Sequence, residues 1–247
     1  MTETLYFDAS APVRCFLRLP PDYESRDDWP VLVGLHGGGN DAEEFLSVRD
    51  MFDIPEFVFA APRAPYPFSD DGQLAYDWSL WPSGDLDTME RGAAASEEWI
   101  AACIRALKAQ YPKSPVYLLG FSQGALMTYR AGIRHCELLD GLIVLSGPGL
   151  YEPLISPWIG EFEPKWPSEA ELSAANELRV FIAHGREDHA IKYTLAERSH
   201  QVLAAAGFDV TFHAFNGGHS LADAQADSIF EKVSEWLAKH EGRIRAG

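Results

Sequence analysis

The sequence predicts an α/β fold in which a mostly parallel central sheet carries helices on both faces. Three observations predict it. Short, nearly all-apolar runs recur at residues 30–35, 115–119, 142–146 and 179–183, as expected of strands buried on both faces. Runs with helical spacing alternate with them, at residues 88–110, 125–131, 192–206 and 222–240, and alternation of this kind builds parallel sheets. Finally, Gly120-Phe121-Ser122-Gln123-Gly124 lies between one such strand and one such helix, which places a serine on a tight strand-to-helix turn.

Taken in order, residues 13–19 read as an early strand ended by Pro20-Pro21, and residues 22–29 are polar and turn-rich. The strand at 30–35 ends in His36-Gly37-Gly38-Gly39-Asn40, which must be a loop. Residues 41–52 have helical spacing, with Phe45, Leu46, Val48 and Met51 as apolar members, and 57–60 form another short strand. Residues 62–85 are rich in proline and aromatic side chains, among them Tyr66, Phe68, Tyr76, Trp78 and Trp81. They read as a long loop, and such loops in compact domains are usually functional. The helix at 88–110 gathers Trp99, Ile100, Cys103, Ile104 and Leu107 on one face. After the strand at 142–146, residues 150–178 break the rhythm: Pro153, Pro157, Pro164 and Pro167 alternate with Trp158, Phe162 and Trp166. This stretch reads as a lid-like excursion containing a short helix at 168–177. Residues 179–183 resume the sheet, 209–215 form its last strand and 222–240 the last helix. With no repeat and no linker composition, residues 1–247 are expected to form one domain.

The composition narrows the function. At 47% hydrophobic residues, 247 residues suffice for one large core. Twenty basic against 37 acidic residues give a net charge of −17, a surface that repels phosphate backbones and anionic lipid, so nucleic acid is not expected as a partner. Cys15, Cys103 and Cys136 form neither a disulfide framework nor a C-x-x-C pair, which fits a reducing compartment and supports no structural zinc site. Residues 1–8 lack the basic and apolar regions of a secretory signal, and no run reaches the length of a membrane span. A cytoplasmic location is the expectation.

A serine hydroxyl is a poor nucleophile at neutral pH. It needs a histidine to take its proton and an acid to orient that histidine. On a strand–serine turn–helix element the expected order is nucleophile, acid, histidine, with the latter two on loops at the carboxyl ends of later strands. The strand at 179–183 is followed by His184-Gly185-Arg186-Glu187-Asp188-His189, and the strand at 209–215 by Asn216-Gly217-Gly218-His219. Ser122 is therefore the candidate nucleophile, Asp188 the acid and His219 the base. Glu187 is the second choice of acid. His189 should point elsewhere, His213 should be a partly buried sheet residue, and His184 should only brace the acid loop. His36 has a plain reading as a loop residue. An oxyanion needs two fixed backbone N–H donors; Gln123, after the serine, supplies one, and the glycine run after His36 the other, with Gly38 chosen and Gly39 next. Trp78, Trp81, Trp158 and Trp166 are candidates either for pocket walls or for ordinary packing.

Five segments, Leu35-His36-Gly37-Gly38-Gly39, Ala61-Pro62-Arg63-Ala64-Pro65, the serine turn, His184-Gly185-Arg186-Glu187-Asp188 and Gly217-Gly218-His219, together resemble the phospholipase/carboxylesterase branch of the α/β-hydrolase superfamily. That branch includes bacterial carboxylesterases and acyl-protein thioesterases. The resemblance implies an α/β-hydrolase fold, the same triad and oxyanion donors, and no metal or organic cofactor. Two features differ from the thioesterase pattern: Gly38 stands where a bulkier apolar residue is usual, and the aromatic-Asp element is Tyr76-Asp77-Trp78. They bear on the substrate and leave ester hydrolysis intact. The expected activity is a serine carboxylesterase acting on small to medium acyl esters, its partner a small-molecule ester. The alternatives are a thioesterase or lysophospholipase acting on longer chains, and an inactive ligand-binding protein on the same fold. Oligomeric state is not legible in the sequence.

Overall fold

The computed structural model describes residues 14–53, 57–70, 72–156 and 160–244. Its strands are β1 (Cys15–Arg18), β2 (Val31–Leu35), β3 (Val58–Pro62), β4 (Tyr66–Asp70), β5 (Gln73–Asp77), β6 (Val116–Phe121), β7 (Gly141–Leu145), β8 (Leu154–Ser156), β9 (Gly160–Phe162), β10 (Arg179–Gly185) and β11 (Asp209–Phe215). The helices are α1 (Ala42–Phe45), α2 (Leu86–Gln110), α3 (Gln123–Arg134), α4 (Glu169–Ala174), α5 (Tyr193–Ala205), α6 (Leu221–Ala226) and α7 (Ile229–Ile244). Seven strands form the central sheet in the order β1-β3-β2-β6-β7-β10-β11. β1 runs antiparallel to β3, and every other neighbouring pair is parallel.

The two-residue period of a strand sorts the apolar runs onto two faces. Val31, Val33, Leu118, Leu142, Val144, Val180 and Ile182 join one core cluster with residues of α2, α3 and α5. Leu32, Tyr117, Leu119, Ile143, Leu145 and Phe181 join the other with residues of α1, α6 and α7. Helices therefore cover both faces, which is why the strands are apolar at consecutive positions.

Three stretches differ from the sequence expectation. Residues 41–52 are one turn of α-helix followed by a 3₁₀ stretch at Leu46–Met51. Phe45, Val48 and Met51 recur every three residues, the 3₁₀ period, so the tighter helix turns all three to the core. The expected loop at 62–85 contains an antiparallel hairpin, β4 with β5, whose register pairs Asp70 with Gln73. Gly72, at a φ of 82°, supplies the left-handed conformation that a tight hairpin turn favours. The expected helix at 222–240 is two helices, broken where Ser228 adopts a φ of 57°. The break aims the Asp227 carboxylate at the backbone N–H of Asn216, 2.9 Å away.

The segment from 150 to 178 leaves the sheet after β7 and carries the small β8–β9 hairpin and α4. Ser168 and Glu171 form a capping box on α4. The segment is tied to the body by Leu150 N–H to Ser199 Oγ (2.8 Å), Arg134 to the Lys165 carbonyl (2.6 Å) and Lys165 N–H to Glu90 (3.2 Å). Beneath these ties Arg130, 1% exposed, is paired with both Glu90 and Glu97, and Arg134 is paired with Glu97.

Candidate active site

Ser122 caps α3 with φ 56° and ψ −117°, a strained conformation for a residue with a side chain. Its N–H donates to the Leu145 carbonyl of β7 at 3.1 Å, and its own carbonyl accepts from Ala125 and Leu126 of α3. The flanking glycines have a steric cause. A Cβ on Gly120 would overlap the Gly124 carbonyl, and a Cβ on Gly124 would overlap the Leu35 and His36 carbonyls.

Asp188 follows β10, and His219 follows β11. The pairing of these strands continues into their loops, with Arg186 N–H on the Phe215 carbonyl and Glu187 N–H on the Gly217 carbonyl, both at 2.9 Å. Gly217 has a φ of 148°, and a Cβ there would stand 2.5 Å from Asp223 Cβ, so only glycine brings the loop round. His219 then lies with Nδ1 2.7 Å from Asp188 Oδ2 and Nε2 2.8 Å from Ser122 Oγ. A carboxylate only accepts, so Nδ1 carries the proton and Nε2 is left to accept from the serine hydroxyl.

The Asp188 side chain is fully buried, whereas that of His219 is 23% exposed. Burial by itself would raise the Asp188 pKa. Hydrogen bonds from His184, His219 and the Ile191 N–H outweigh it and hold the carboxyl well below the usual range. Its other oxygen accepts from Ala190 and Ile191 N–H at 2.9 and 2.8 Å. His184 Nε2 faces the Ile191 carbonyl (2.8 Å) and Asp188 Oδ2 (3.2 Å), so it braces the acid loop. Glu187 and His189 are exposed, and His213 is half-buried within β11.

The glycine loop lies over the serine turn: a Cβ on Gly37 would be 3.5 Å from Ser122 Cβ, and one on Gly38 would be 2.9 Å from Gln123 Oε1. Gly39 is removed from the choice of donors, because its N–H is spent on the Tyr76 carbonyl at 3.0 Å. Gln123 opens α3, where an N–H has no acceptor within the helix.

Sequence reasoning missed the groups beneath this loop. His36, fully buried, donates from Nδ1 to the Gly37 carbonyl (2.8 Å) and accepts at Nε2 from Ala64 N–H (3.2 Å). Burial lowers its pKa, so the ring stays neutral and keeps both bonds. Trp78 is buried, donating from Nε1 to the His36 carbonyl at 2.9 Å. Trp166 packs partly buried against the core; Trp81 is partly exposed; Trp158 lies outside the described residues. Asp77 and Ser79, both buried, hold the Gln123 amide. The one visible signal for this group was the aromatic-Asp element.

Such a serine–histidine–carboxylate chain, beside uncommitted N–H groups at a helix start, can move a proton off the hydroxyl while stabilising an oxyanion nearby. Among the described residues no group of three or more His, Cys, Asp or Glu is placed to hold a metal ion, and no helix is long and apolar enough to cross a membrane.

The chain is similar to acyl-protein thioesterase 1 of Neurospora crassa, at 29% identity over 85% of this chain and 87% of that one. It is also similar to a probable carboxylesterase of Oryza sativa, at 25% identity over 85% and 77%. The crystal structure of esterase PE8 superposes with a TM-score of 0.71 and 24% identity, covering 91% of this chain and 99% of that one, which shows the shared fold. The phospholipase/carboxylesterase family model matches residues 24–241, a span that holds the serine turn, the acid loop and the histidine loop alike, and the chain therefore belongs to the phospholipase/carboxylesterase family.

Proposed function

We propose that this protein is a serine carboxylesterase that cleaves small to medium acyl esters through an acyl-enzyme. The observation that carries the reading is one imidazole held between Ser122 Oγ at 2.8 Å and Asp188 Oδ2 at 2.7 Å. Ser122 Oγ attacks the ester carbonyl while His219 Nε2 takes its proton. The tetrahedral oxyanion is held by the N–H groups of Gly38 and Gln123. His219 gives the proton to the leaving alcohol, then activates the water that releases the acid. Asp188 stays ionised and stabilises the imidazolium.

Residues 1–247 serve in this reading as one α/β-hydrolase domain, with residues 150–178 as a lid-like cover that follows β7, the strand whose Leu145 carbonyl accepts the Ser122 N–H. Shortening the β8–β9 hairpin should shift acyl-length preference; an unchanged preference would remove that role.

The test is hydrolysis of p-nitrophenyl esters from acetate to palmitate, with Ser122→Ala as control. Activity should peak at short chains and fall at least about 10³-fold in the variant, and a fluorophosphonate should label the parent alone. Substantial turnover by Ser122→Ala would sink the assignment. A second reading, thioester hydrolysis on longer chains, is favoured by the name of the Neurospora relative, and a rate that climbs to palmitate would select it. Neither turnover nor labelling would leave a ligand-binding protein.

A further inference from the structure

We infer that Asp77 is a positioning residue for the oxyanion site, fixing the Gln123 side-chain amide and through it the apposition of Gln123 and Gly38. The inference rests on the serine-hydrolase reading. Asp77 ends β5 and is 4% exposed. Its Oδ1 accepts from Ser79 N–H (2.7 Å), Ser79 Oγ (3.2 Å) and Trp81 N–H (3.2 Å), and its Oδ2 accepts from Gln123 Nε2 (3.0 Å). All four donors are neutral groups. A buried carboxylate satisfied this way contributes little to stability, so its presence calls for another reason.

The Gln123 amide supplies that reason. Its second Nε2 hydrogen goes to Ser79 Oγ at 3.0 Å, and its Oε1 accepts from Trp78 N–H at 3.2 Å. The orientation is thereby decided: a reversed amide would press Oε1 against the Asp77 carboxylate. Oε1 is also the nearest atom that a Cβ on Gly38 would meet, at 2.9 Å, so the bare glycine and this amide are closely apposed. The end of β5 and the residue after it grip the glycine loop on both sides of Gly38. Trp78 Nε1 holds the His36 carbonyl, the Tyr76 carbonyl takes the Gly39 N–H, and Tyr76 N–H donates to the Asn40 carbonyl at 3.2 Å. Gly38 is left between these staples, on the amide that Asp77 orients.

The turn that carries Asp77 is itself under strain. Leu80 has a φ of 54°, and the two backbone N–H groups accepted by Asp77 Oδ1, on Ser79 and Trp81, straddle it. The Ser79 backbone sits tight on α2, where a Cβ on Gly92 would be 3.0 Å from the Ser79 carbonyl carbon. Strain retained beside a reaction site is a mark of positioning.

The test compares Asp77→Asn, Ser79→Ala, Gln123→Glu and the double variant Asp77→Asn/Gln123→Glu. Each is measured for kcat and KM on p-nitrophenyl acetate, for inhibition by phenylboronic acid, and for its thermal midpoint. The boronic acid becomes tetrahedral on the serine oxygen, so its affinity reads the oxyanion donors. Asp77→Asn should lower kcat about 10- to 100-fold with KM within about threefold, and weaken the boronic acid in parallel. Gln123→Glu sets carboxylate against carboxylate and should lose about 10³-fold. The double variant should regain at least about tenfold, because the amide introduced at 77 donates to the carboxylate introduced at 123.

Parental kcat in Asp77→Asn would overturn the inference. So would a lowered thermal midpoint with unchanged boronic acid affinity, or no recovery in the double variant. If Asp77→Asn does not fold, Ser79→Ala decides: a kcat loss of about three- to tenfold with parallel boronic acid weakening supports the inference, and parental values overturn it. Ser122→Ala in the same assays keeps the two readings apart, since turnover retained there removes the serine hydrolase itself.

Discussion

At the scale of single residues, the strain at Ser122 sets stability against chemistry. A non-glycine residue at φ 56°, ψ −117° costs about 1–3 kcal/mol that a glycine would not incur. Ser122→Gly should therefore unfold at higher urea, by about 1 kcal/mol, while losing ester hydrolysis; equilibrium unfolding together with an activity assay checks both. Ser122, Asp188 and His219 were legible because each sits where a strand ends, and strand ends are readable as apolar runs that stop at glycine or polar residues. Asp77, Ser79 and His36 were not. Asp77 and Ser79 meet Gln123 across 46 and 44 residues of chain, and the aromatic-Asp element, the one local signal, does not say which residue it meets. His36 looked plain because its role lies in two bonds to backbone atoms, one donated and one accepted, which no motif marks.

At the scale of elements, period decided what could be read. Strands buried on both faces and long helices such as α2 show themselves directly. The 3₁₀ stretch at Leu46–Met51 did not, since a few residues of period three pass for period 3.6. The β4–β5 hairpin was hidden by its proline and aromatic content. The packing of α2 on α3 was also out of reach, because it is held by Arg130 with Glu90 and Glu97 rather than by apolar residues alone. Removing the Arg130 cation leaves the buried Glu90 carboxylate without its guanidinium partner, while Glu97 keeps Arg134, so Arg130→Ala should cost about 3–5 kcal/mol in urea unfolding. Loss of only a few tenths would mean that water reaches the pair. Burial alone would raise the Glu90 pKa, but the hydrogen bond and charge of Arg130 outweigh it and hold the carboxyl below its ordinary value. Its stabilisation is therefore present above the unfolded value, about 4.3, and is lost as pH falls through the lower folded one.

At the scale of the whole molecule, that loss is shared by Asp188, whose carboxyl is likewise depressed. Both must take up protons when the chain unfolds in acid, so stability should decline below about pH 4, as a pH series of thermal midpoints would show. Near neutrality the opposing influence is the net charge of −17. Its self-repulsion is screened by salt, so the midpoint at pH 7 should rise between about 10 mM and 0.2 M sodium chloride; a fall would assign the larger share to attractive pairs. The spatial order of the strands has one more consequence, for synthesis. Ser122 and His219 are 97 residues apart, and β11, which carries the histidine loop, pairs in parallel only with β10 at the edge of the sheet. A chain leaving the ribosome has six of the seven strands of the central sheet and the serine turn in hand before β11 and its histidine exist. On the proposed mechanism Ser122 has no base until that last edge strand docks, so turnover would begin only once translation has reached the far border of the sheet.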